Sequence, residues 1–178
     1  MKEVTSFFEK ANRQFLEEQC NFILSGVSER ALCGEFMKYL VREIQETSFL
    51  NYYVDVEYNR NEGGVIKTIK NNQELIIPIT CDIIVHSRGE NIDQDNVLAI
   101  EMKKSSNSRL KKDKDRERLM ALTEDTFDNI WSYDGKTFPD HVCRYLLGIY
   151  YEINLNKRTV VIEYYTKGEF RKKDTLNF

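Results

Sequence analysis

The sequence is poor in the residues that build zinc sites and disulfide-linked scaffolds. Its 178 residues include two histidines, two prolines and four cysteines, and no two cysteines form a Cys-x-x-Cys pair. This scarcity argues against a zinc site and against a disulfide framework. We expect the four cysteines to be buried, reduced thiols, as free cysteines usually are: Cys20, Cys33, Cys81 and Cys143.

Long apolar runs are also missing. The first segment, residues 1–26, mixes its apolar residues with charged ones, namely Glu3, Glu9, Arg13, Glu17 and Glu18. A signal peptide or a membrane span needs an uninterrupted apolar stretch, so we expect neither in this segment. The sequence therefore predicts a cytoplasmic protein with no membrane partner.

The residues that are present, 41% hydrophobic and 31% charged, are typical of a globular protein. The length suits a single domain, residues 1–178, in which helices pack against a sheet. A formal net charge of −3 speaks against nucleic-acid binding, because phosphate contacts dominate such affinity. Between Lys103 and Arg118, however, eight basic residues stand against three acidic ones. This segment is either a surface that follows a phosphate backbone or a solvated helix face.

Hydrophobic periodicity predicts two helices at the start of the chain. Residues 1–26 form an amphipathic N-terminal helix, in which the apolar positions between Val4 and Leu24 fit one broad stripe. Ser28 is typical of the N-cap of a second helix, which runs to about Thr47. The predicted core, residues 28–166, begins with this second helix.

Alternation of apolar and polar residues predicts strands after the second helix. Three strands come first, over residues 52–59, 74–86 and 97–103, and the polar loop 87–96 suits an antiparallel hairpin. A helix over residues 110–123, with a second segment through Trp131, precedes strands over 144–153 and 159–166. This order predicts an α/β fold: a central mixed sheet of four to five strands flanked by helices, with an extra N-terminal helix.

The triplet Glu101-Met102-Lys103 closes an apolar strand and is the most informative feature of the chain. Period-two alternation places Glu101 and Lys103 on one face of that strand, where an ordinary exposed salt bridge would also explain them. A second acid, Asp82, lies in the preceding apolar strand, and a hairpin would bring it beside Glu101. Two carboxylates that close repel each other unless a cation lies between them. The pattern favours a metal-dependent phosphodiesterase site.

A third acid comes from the second predicted helix, where Glu29 and Glu35 compete. With about 100° per residue, Glu29 projects near the centre of the apolar stripe and Glu35 points roughly 140° away from it. Glu29 is therefore expected to face the sheet. The alternative explanation is favourable interaction of an acid with the start of a helix dipole, and both explanations stay open.

These residues together resemble the PD-(D/E)XK nuclease superfamily, which has the restriction-endonuclease-like fold. The order is Glu29 on a first helix, Asp82 in one strand, Glu101-Met102-Lys103 in the next, and then a basic helix. Residues 28–32 and 54–60 are also similar to segments of small uncharacterised bacterial members, so the resemblance covers roughly residues 28–122. Two positions depart from the pattern. Cys81 stands where proline usually precedes the strand acid, and Gly34 stands where the bacterial members tend to carry histidine.

The resemblance implies a restriction-endonuclease-like core and assigns roles to these residues. Asp82, Glu101 and the backbone carbonyl of Met102 would bind Mg²⁺ or Mn²⁺, and Lys103 would orient or help deprotonate the attacking water. Glu29 would assist through a water-mediated contact or a second metal ion. Nucleic-acid contacts are expected from residues near the site, which are Tyr58, Arg60, Lys104, Arg109, Lys111 and Lys112.

Two functions follow as hypotheses. The first is a Mg²⁺-dependent nuclease that hydrolyses phosphodiester bonds, with DNA as the expected nucleic acid. The second is a binding or assembly subunit that keeps the nuclease fold without catalysis. The phenylalanines of the N-terminal helix motivate the second, because they could dock a partner protein or a second copy of the chain in a homodimer.

Overall fold

The computed structural model describes residues 1–58, 68–70, 76–78, 80–125 and 143–178, with the backbone alone for 68–70 and 76–78. The sequence also predicts turns at 61–64 and 134–136, and both lie outside the described residues, as does the helical segment predicted through Trp131. Of the helices in the described ranges, none combines the length and the apolar character that a membrane span requires.

The N-terminal segment is helical, as predicted, but it divides into α1 (Lys2–Glu18) and α2 (Cys20–Leu24). Gly26 then adopts a φ of 78°, a left-handed conformation that glycine reaches at little steric cost, and the chain turns there. The next helix, α3, spans Glu29–Ile44. Its N-cap is confirmed, because the Ala31 N–H donates a hydrogen bond of 3.2 Å to Oγ of Ser28.

The described residues after α3 contain eight strands and a fourth helix. They are, in chain order, β1 (Tyr53–Val56), β2 (Thr68–Lys70), β3 (Ile76–Pro78), β4 (Ile83–His86), β5 (Asn96–Lys104), α4 (Arg109–Thr123), β6 (Leu147–Asn154), β7 (Thr159–Thr166) and β8 (Glu169–Asn177).

Six of these strands form one mixed sheet in the order β1-β4-β5-β6-β7-β8. β5 and β6 are parallel, and each of the other neighbouring pairs is antiparallel. α4 lies in the connection between β5 and β6, where parallel strands need a crossover. β2 and β3 pair with each other in a separate two-stranded sheet. The α/β class, the mixed sheet and the β4–β5 hairpin are confirmed.

Two details of the predicted sheet are wrong. The main sheet has six strands instead of four to five, because β8 adds a strand beyond residue 166. Its side chains are mostly exposed and charged, so it lacks the apolar alternation that reveals other strands. The strand predicted over 74–86 is divided between β3 and β4. Pro78 cannot donate a ladder hydrogen bond, which disfavours a continuous central strand through it.

One face of the main sheet is covered by α1 and α3 and is predominantly apolar. Inward residues of the central strands, such as Ile100 and Tyr151, belong to one large cluster with the aromatic residues of both helices. Phe36 of α3 is fully buried, and its ring contacts those of Phe8, Phe15 and Tyr151. The phenylalanines that suggested docking are thus buried in this chain's own core. A homodimer or partner contact through the N-terminal helix stays a prediction.

The opposite face is covered by α4 and has a smaller apolar cluster. Leu119 and Leu122 of α4 pack with Ile84, Ala99 and other buried residues of the strands. Gly148 on β6 permits α4 to approach the sheet closely, because a Cβ at this position would lie 2.9 Å from the Thr123 side chain. The predicted site residues lie beside this smaller cluster.

Candidate functional site

Asp82 immediately precedes β4, at the point where the β4–β5 pairing ends. Since Ile83 pairs with Ile100, the next position along places Asp82 beside Glu101. Oδ2 of Asp82 accepts a hydrogen bond of 2.7 Å from the Met102 N–H and one of 3.2 Å from Nζ of Lys103. The hairpin therefore brings Asp82 to the triplet, as the sequence predicts.

The Lys103 ammonium is enclosed by oxygen atoms. Besides Asp82, it contacts the carbonyl oxygen of Met102 at 2.9 Å and Oδ2 of Asp115 at 3.4 Å. Burial lowers the pKa of Lys103, but the surrounding carboxylates of Asp82, Asp115 and Glu101 outweigh it, so the pKa is raised. Lys103 is thus a cation held by two of the three groups predicted to bind metal.

Glu101 is the most deeply buried acid of the site, with 1% of its side chain exposed. Its Oε1 accepts a hydrogen bond of 2.6 Å from Nη1 of Arg118. Burial raises the pKa of Glu101 to about 8, and Arg118 offsets part of that effect. A buried carboxylate with an arginine partner is not the exposed, idle salt bridge that the triplet alone could have formed.

Two residues of this ionic cluster were not predicted by the sequence analysis, and both come from α4. Asp115 and Arg118 stand one turn apart, and Nη1 of Arg118 lies 3.4 Å from Oδ1 of Asp115. Oδ2 of Asp115 is buried, and no described residue donates it a hydrogen bond; its contact with Lys103 is an ion pair without hydrogen-bond alignment. Burial raises the pKa of Asp115, although Lys103 and Arg118 counteract it.

A signal for these two residues exists in the sequence. At about 100° per residue, Asp115 and Arg118 lie on the same side of the helix as Leu119 and Leu122. An acid and a base on the apolar side of a helix need partners in the core.

Glu29 lies at the start of α3 and points toward the end of β5, as expected. Its Oε1 accepts hydrogen bonds from the Lys104 N–H at 2.8 Å and from Nδ2 of Asn107 at 2.5 Å. Glu29 therefore anchors the segment that follows the triplet. It has no direct hydrogen bond to Asp82 or Glu101, so any catalytic part for it stays a prediction. The competing Glu35 is instead paired with Lys38 at 2.6 Å.

The donor set suits a hard divalent cation better than a soft one, because it consists of oxygen atoms. Asp82 and the Met102 carbonyl already share one cationic position, which the Lys103 ammonium fills. Glu101 lies next to them on Arg118. In the part of the chain that the structure describes, no group of three or more His, Cys, Asp or Glu side chains is arranged to hold a metal. A divalent cation would thus be held by two carboxylates and a carbonyl, and Lys103 would have to move aside for it.

The residues predicted to contact nucleic acid divide into engaged and exposed ones. Nζ of Lys112 is bound by Glu152 at 3.1 Å and by the Ser105 carbonyl, and Nζ of Lys104 donates to the Gly26 carbonyl. Arg109 has 94% of its side chain exposed, and Lys111 is exposed as well. Nε of Arg109 lies 3.6 Å from Oδ2 of Asp113. Among the described cations of this set, Arg109 and Lys111 are the two that are exposed to solvent for a phosphate contact.

Tyr58 follows β1, and its ring lies 4.7 Å from the ring of His86. It packs against the smaller apolar cluster on the α4 side of the sheet, and the preceding residue, Glu57, has a φ of 52°. His86 in turn contacts Asp55 at 2.9 Å. Arg60 lies outside the described residues.

In comparisons with known proteins, no family model, no curated protein and no solved structure matches this chain.

Proposed function

We propose that this protein is a metal-dependent nuclease that hydrolyses phosphodiester bonds, with DNA as its substrate. The observation that carries the proposal is the position of the Lys103 ammonium. It touches both the Asp82 carboxylate and the Met102 carbonyl, directly beside the buried Glu101. A cation already occupies the point where hard oxygen donors converge, which is the electrostatic requirement of a divalent ion site.

The order of the elements supports a restriction-endonuclease-like core. Glu29 opens α3, Asp82 immediately precedes β4, the triplet lies in β5, and the basic helix α4 follows. This is the order on which the sequence resemblance to PD-(D/E)XK nucleases depends.

Each residue then has a part in the reaction. A bound Mg²⁺ or Mn²⁺ would supply a Lewis acid that polarises the phosphate and its attacking water. Asp82, Glu101 and the Met102 carbonyl would hold that ion. Lys103 would orient the attacking water and balance the charge that builds on the phosphate oxygens, which is electrostatic stabilisation by a preplaced cation. Asp115 keeps a second contact to the Lys103 ammonium.

The test is a cleavage assay with the purified full chain, supercoiled and linear DNA, and Mg²⁺ or Mn²⁺ against EDTA. We expect Lys103→Ala to reduce the cleavage rate about 100-fold or more, as for other residues that assist proton transfer or charge build-up. Lys172→Ala is the matched control, because Lys172 also forms ion pairs, with Glu9 and Asp174, but lies on β8. Cleavage that persists unchanged in Lys103→Ala contradicts the mechanism.

The second candidate, a non-catalytic binding or assembly subunit, is favoured by one observation. The two acids predicted to bind metal already have cationic partners from the chain, Lys103 for Asp82 and Arg118 for Glu101. Calorimetric titration with Mn²⁺ separates the two functions. A nuclease site binds an ion, and Asp82→Asn weakens that binding. A chain that binds no ion and cuts neither DNA nor RNA supports the second candidate.

A further inference from the structure

Arg118 contacts the acids of the site with only part of its guanidinium group. Its Nη1 lies 2.6 Å from Glu101 and 3.4 Å from Asp115. A guanidinium carries five N–H donors in a planar fork. The donors on Nε and Nη2 of Arg118 form no hydrogen bond with any residue in the described ranges. About a quarter of the side chain, 27%, is exposed.

The neighbouring arginine of α4 shows what a fully engaged guanidinium looks like. Arg116 donates from Nε and Nη2 to the two carboxylate oxygens of Glu163, and from Nη1 to Asp113. It also stacks over the ring of Tyr150 at 4.1 Å. Its exposed fraction, 25%, is nearly that of Arg118. The two residues are therefore buried to nearly the same extent, but they differ in how many of their N–H donors form hydrogen bonds.

A guanidinium group that still has N–H donors without hydrogen bonds, and that lies beside paired carboxylates, is suited to bind a phosphate group. Two parallel N–H donors match two phosphate oxygens, and this pairing is among the strongest hydrogen-bonded contacts in proteins. The cluster contains three acids (Asp82, Glu101 and Asp115) and two cations (Lys103 and Arg118), so ionised it carries one excess negative charge. A phosphate would be repelled there until that excess charge is offset. Neutralising Glu101 would remove one negative charge and would also release Arg118.

We propose that Arg118 is a phosphate-binding residue of this site, held by Glu101 in the substrate-free protein and turned to a phosphate oxygen once Glu101 releases it. This inference rests on the proposed nuclease function and names a substrate contact for it.

The variant Glu101→Gln releases Arg118 without any metal. We expect Glu101→Gln to bind a short DNA duplex in EDTA about tenfold more tightly than the natural chain, the effect of one charge-assisted hydrogen bond. Fluorescence anisotropy measures the affinity across a range of salt concentrations. The double variant Glu101→Gln/Arg118→Gln should lose the gain and also show a shallower salt dependence.

Two controls separate a specific contact from a general charge effect. Asp82→Asn removes the same single negative charge but leaves Arg118 on Glu101, so its gain in affinity should be clearly smaller. Glu101→Gln/Arg116→Gln removes the matched arginine and should keep most of the gain. Thermal unfolding of every variant checks that each one is folded under the binding conditions.

The outcomes distinguish this inference from the proposed function. Three results would overturn the role of Arg118. The first is that Glu101→Gln binds DNA equally well with and without Arg118. The others are an equal gain in affinity in Asp82→Asn, and no DNA binding by Glu101→Gln. If the natural chain also cuts DNA with Mn²⁺, the nuclease proposal survives that result. If it cuts nothing while the gain still depends on Arg118, the nuclease proposal fails and the phosphate contact stands.

Discussion

The two faces of the six-stranded sheet are built from different side chains. The face under α1 and α3 is predominantly apolar, with stacked and edge-on aromatic rings around Phe36. The face under α4 carries an ionic cluster of two basic and three acidic side chains, which are Asp82, Glu101, Lys103, Asp115 and Arg118. Taking an ion out of water costs several kcal/mol, and ion pairing returns that cost only when the geometry is good. The first face is therefore the main core of the fold, whereas the second carries the side chains on which the proposed function depends.

The largest expected effect is on the apolar face. Phe36→Ala should lower the free energy of unfolding by about 3–5 kcal/mol, because it removes a buried ring and leaves a cavity. Urea unfolding followed by circular dichroism measures this change. Leu110→Ala on α4 is the control, since Leu110 is largely exposed and should change stability by less than about 0.5 kcal/mol. Similar losses in both variants would contradict the assignment of the first face as the core.

The ionic cluster should respond in a different way. Arg118→Met leaves the Glu101 carboxylate buried without its partner, and we expect a loss of about 2–4 kcal/mol, somewhat below the range for fully buried pairs. Replacing both residues, in Glu101→Met/Arg118→Met, should restore much of the lost stability because no unpaired charge remains. A double variant that is no more stable than Arg118→Met would contradict the cost of the unpaired buried carboxylate.

The pH dependence of stability should separate two acids on this same face, in buffers free of divalent ions. Glu101 has a pKa raised from 4.5 to about 8, chiefly by burial, so its protonated form favours the folded state. That contribution is present below pH 4.5 and is lost as the pH rises toward 8, with a slope of at most about 1.4 kcal/mol per pH unit.

Glu163 behaves oppositely. Burial would raise its pKa, but the hydrogen bonds from Arg116 and Tyr165 prevail and the pKa lies below 4.5. Its contribution is present above pH 4.5 and is lost as the pH falls through the lowered pKa. Stability curves of Glu101→Gln and Glu163→Gln, each compared with the natural chain, should therefore diverge in different pH windows. Parallel curves would mean that the two acids share one environment.

The smallest expected effect comes from the exposed cations of α4. Arg109→Ala and Lys111→Ala should change the free energy of unfolding by less than about 0.5 kcal/mol. If these residues contact phosphates, each substitution should reduce the slope of log affinity against log salt by roughly 0.9. Anisotropy titrations at several salt concentrations decide this, and unchanged slopes would leave α4 as an ordinary solvated surface.

Much of the fold could be predicted from the sequence because periodicity reports burial. β7 was predicted with its observed bounds, and the N-cap of α3 was identified from Ser28. β8 could not be found in this way, since a mostly exposed edge strand has little apolar alternation to detect. The break between β3 and β4 was also missed, although Pro78 was a signal against one continuous strand.

The site was predictable to a similar extent. Asp82, Glu101 and Lys103 stand out because charges interrupt strands that otherwise consist of core residues. Asp115 and Arg118 give a weaker signal. They lie on the same side of α4 as Leu119 and Leu122, but α4 carries charges on every side, and its rotation against the sheet decides which of them are buried. The pairing of Glu101 with Arg118 also depends on a crossover that brings distant segments together, which residue spacing alone does not report.

The most direct test of the account is a crystal structure of the full chain grown with Mn²⁺ and recorded at a wavelength where manganese scatters anomalously. We predict an anomalous peak bound by Asp82, Glu101 and the Met102 carbonyl, with the Lys103 ammonium displaced from Asp82 and still near Asp115. Calorimetric titration of the same protein with Mn²⁺ should show binding, and the substitution Asp82→Asn should weaken it. The crystals should be grown at a Mn²⁺ concentration that supports DNA cleavage. The metal site would be contradicted by a structure in which the Asp82–Lys103 pair is unchanged and no peak lies at these three groups.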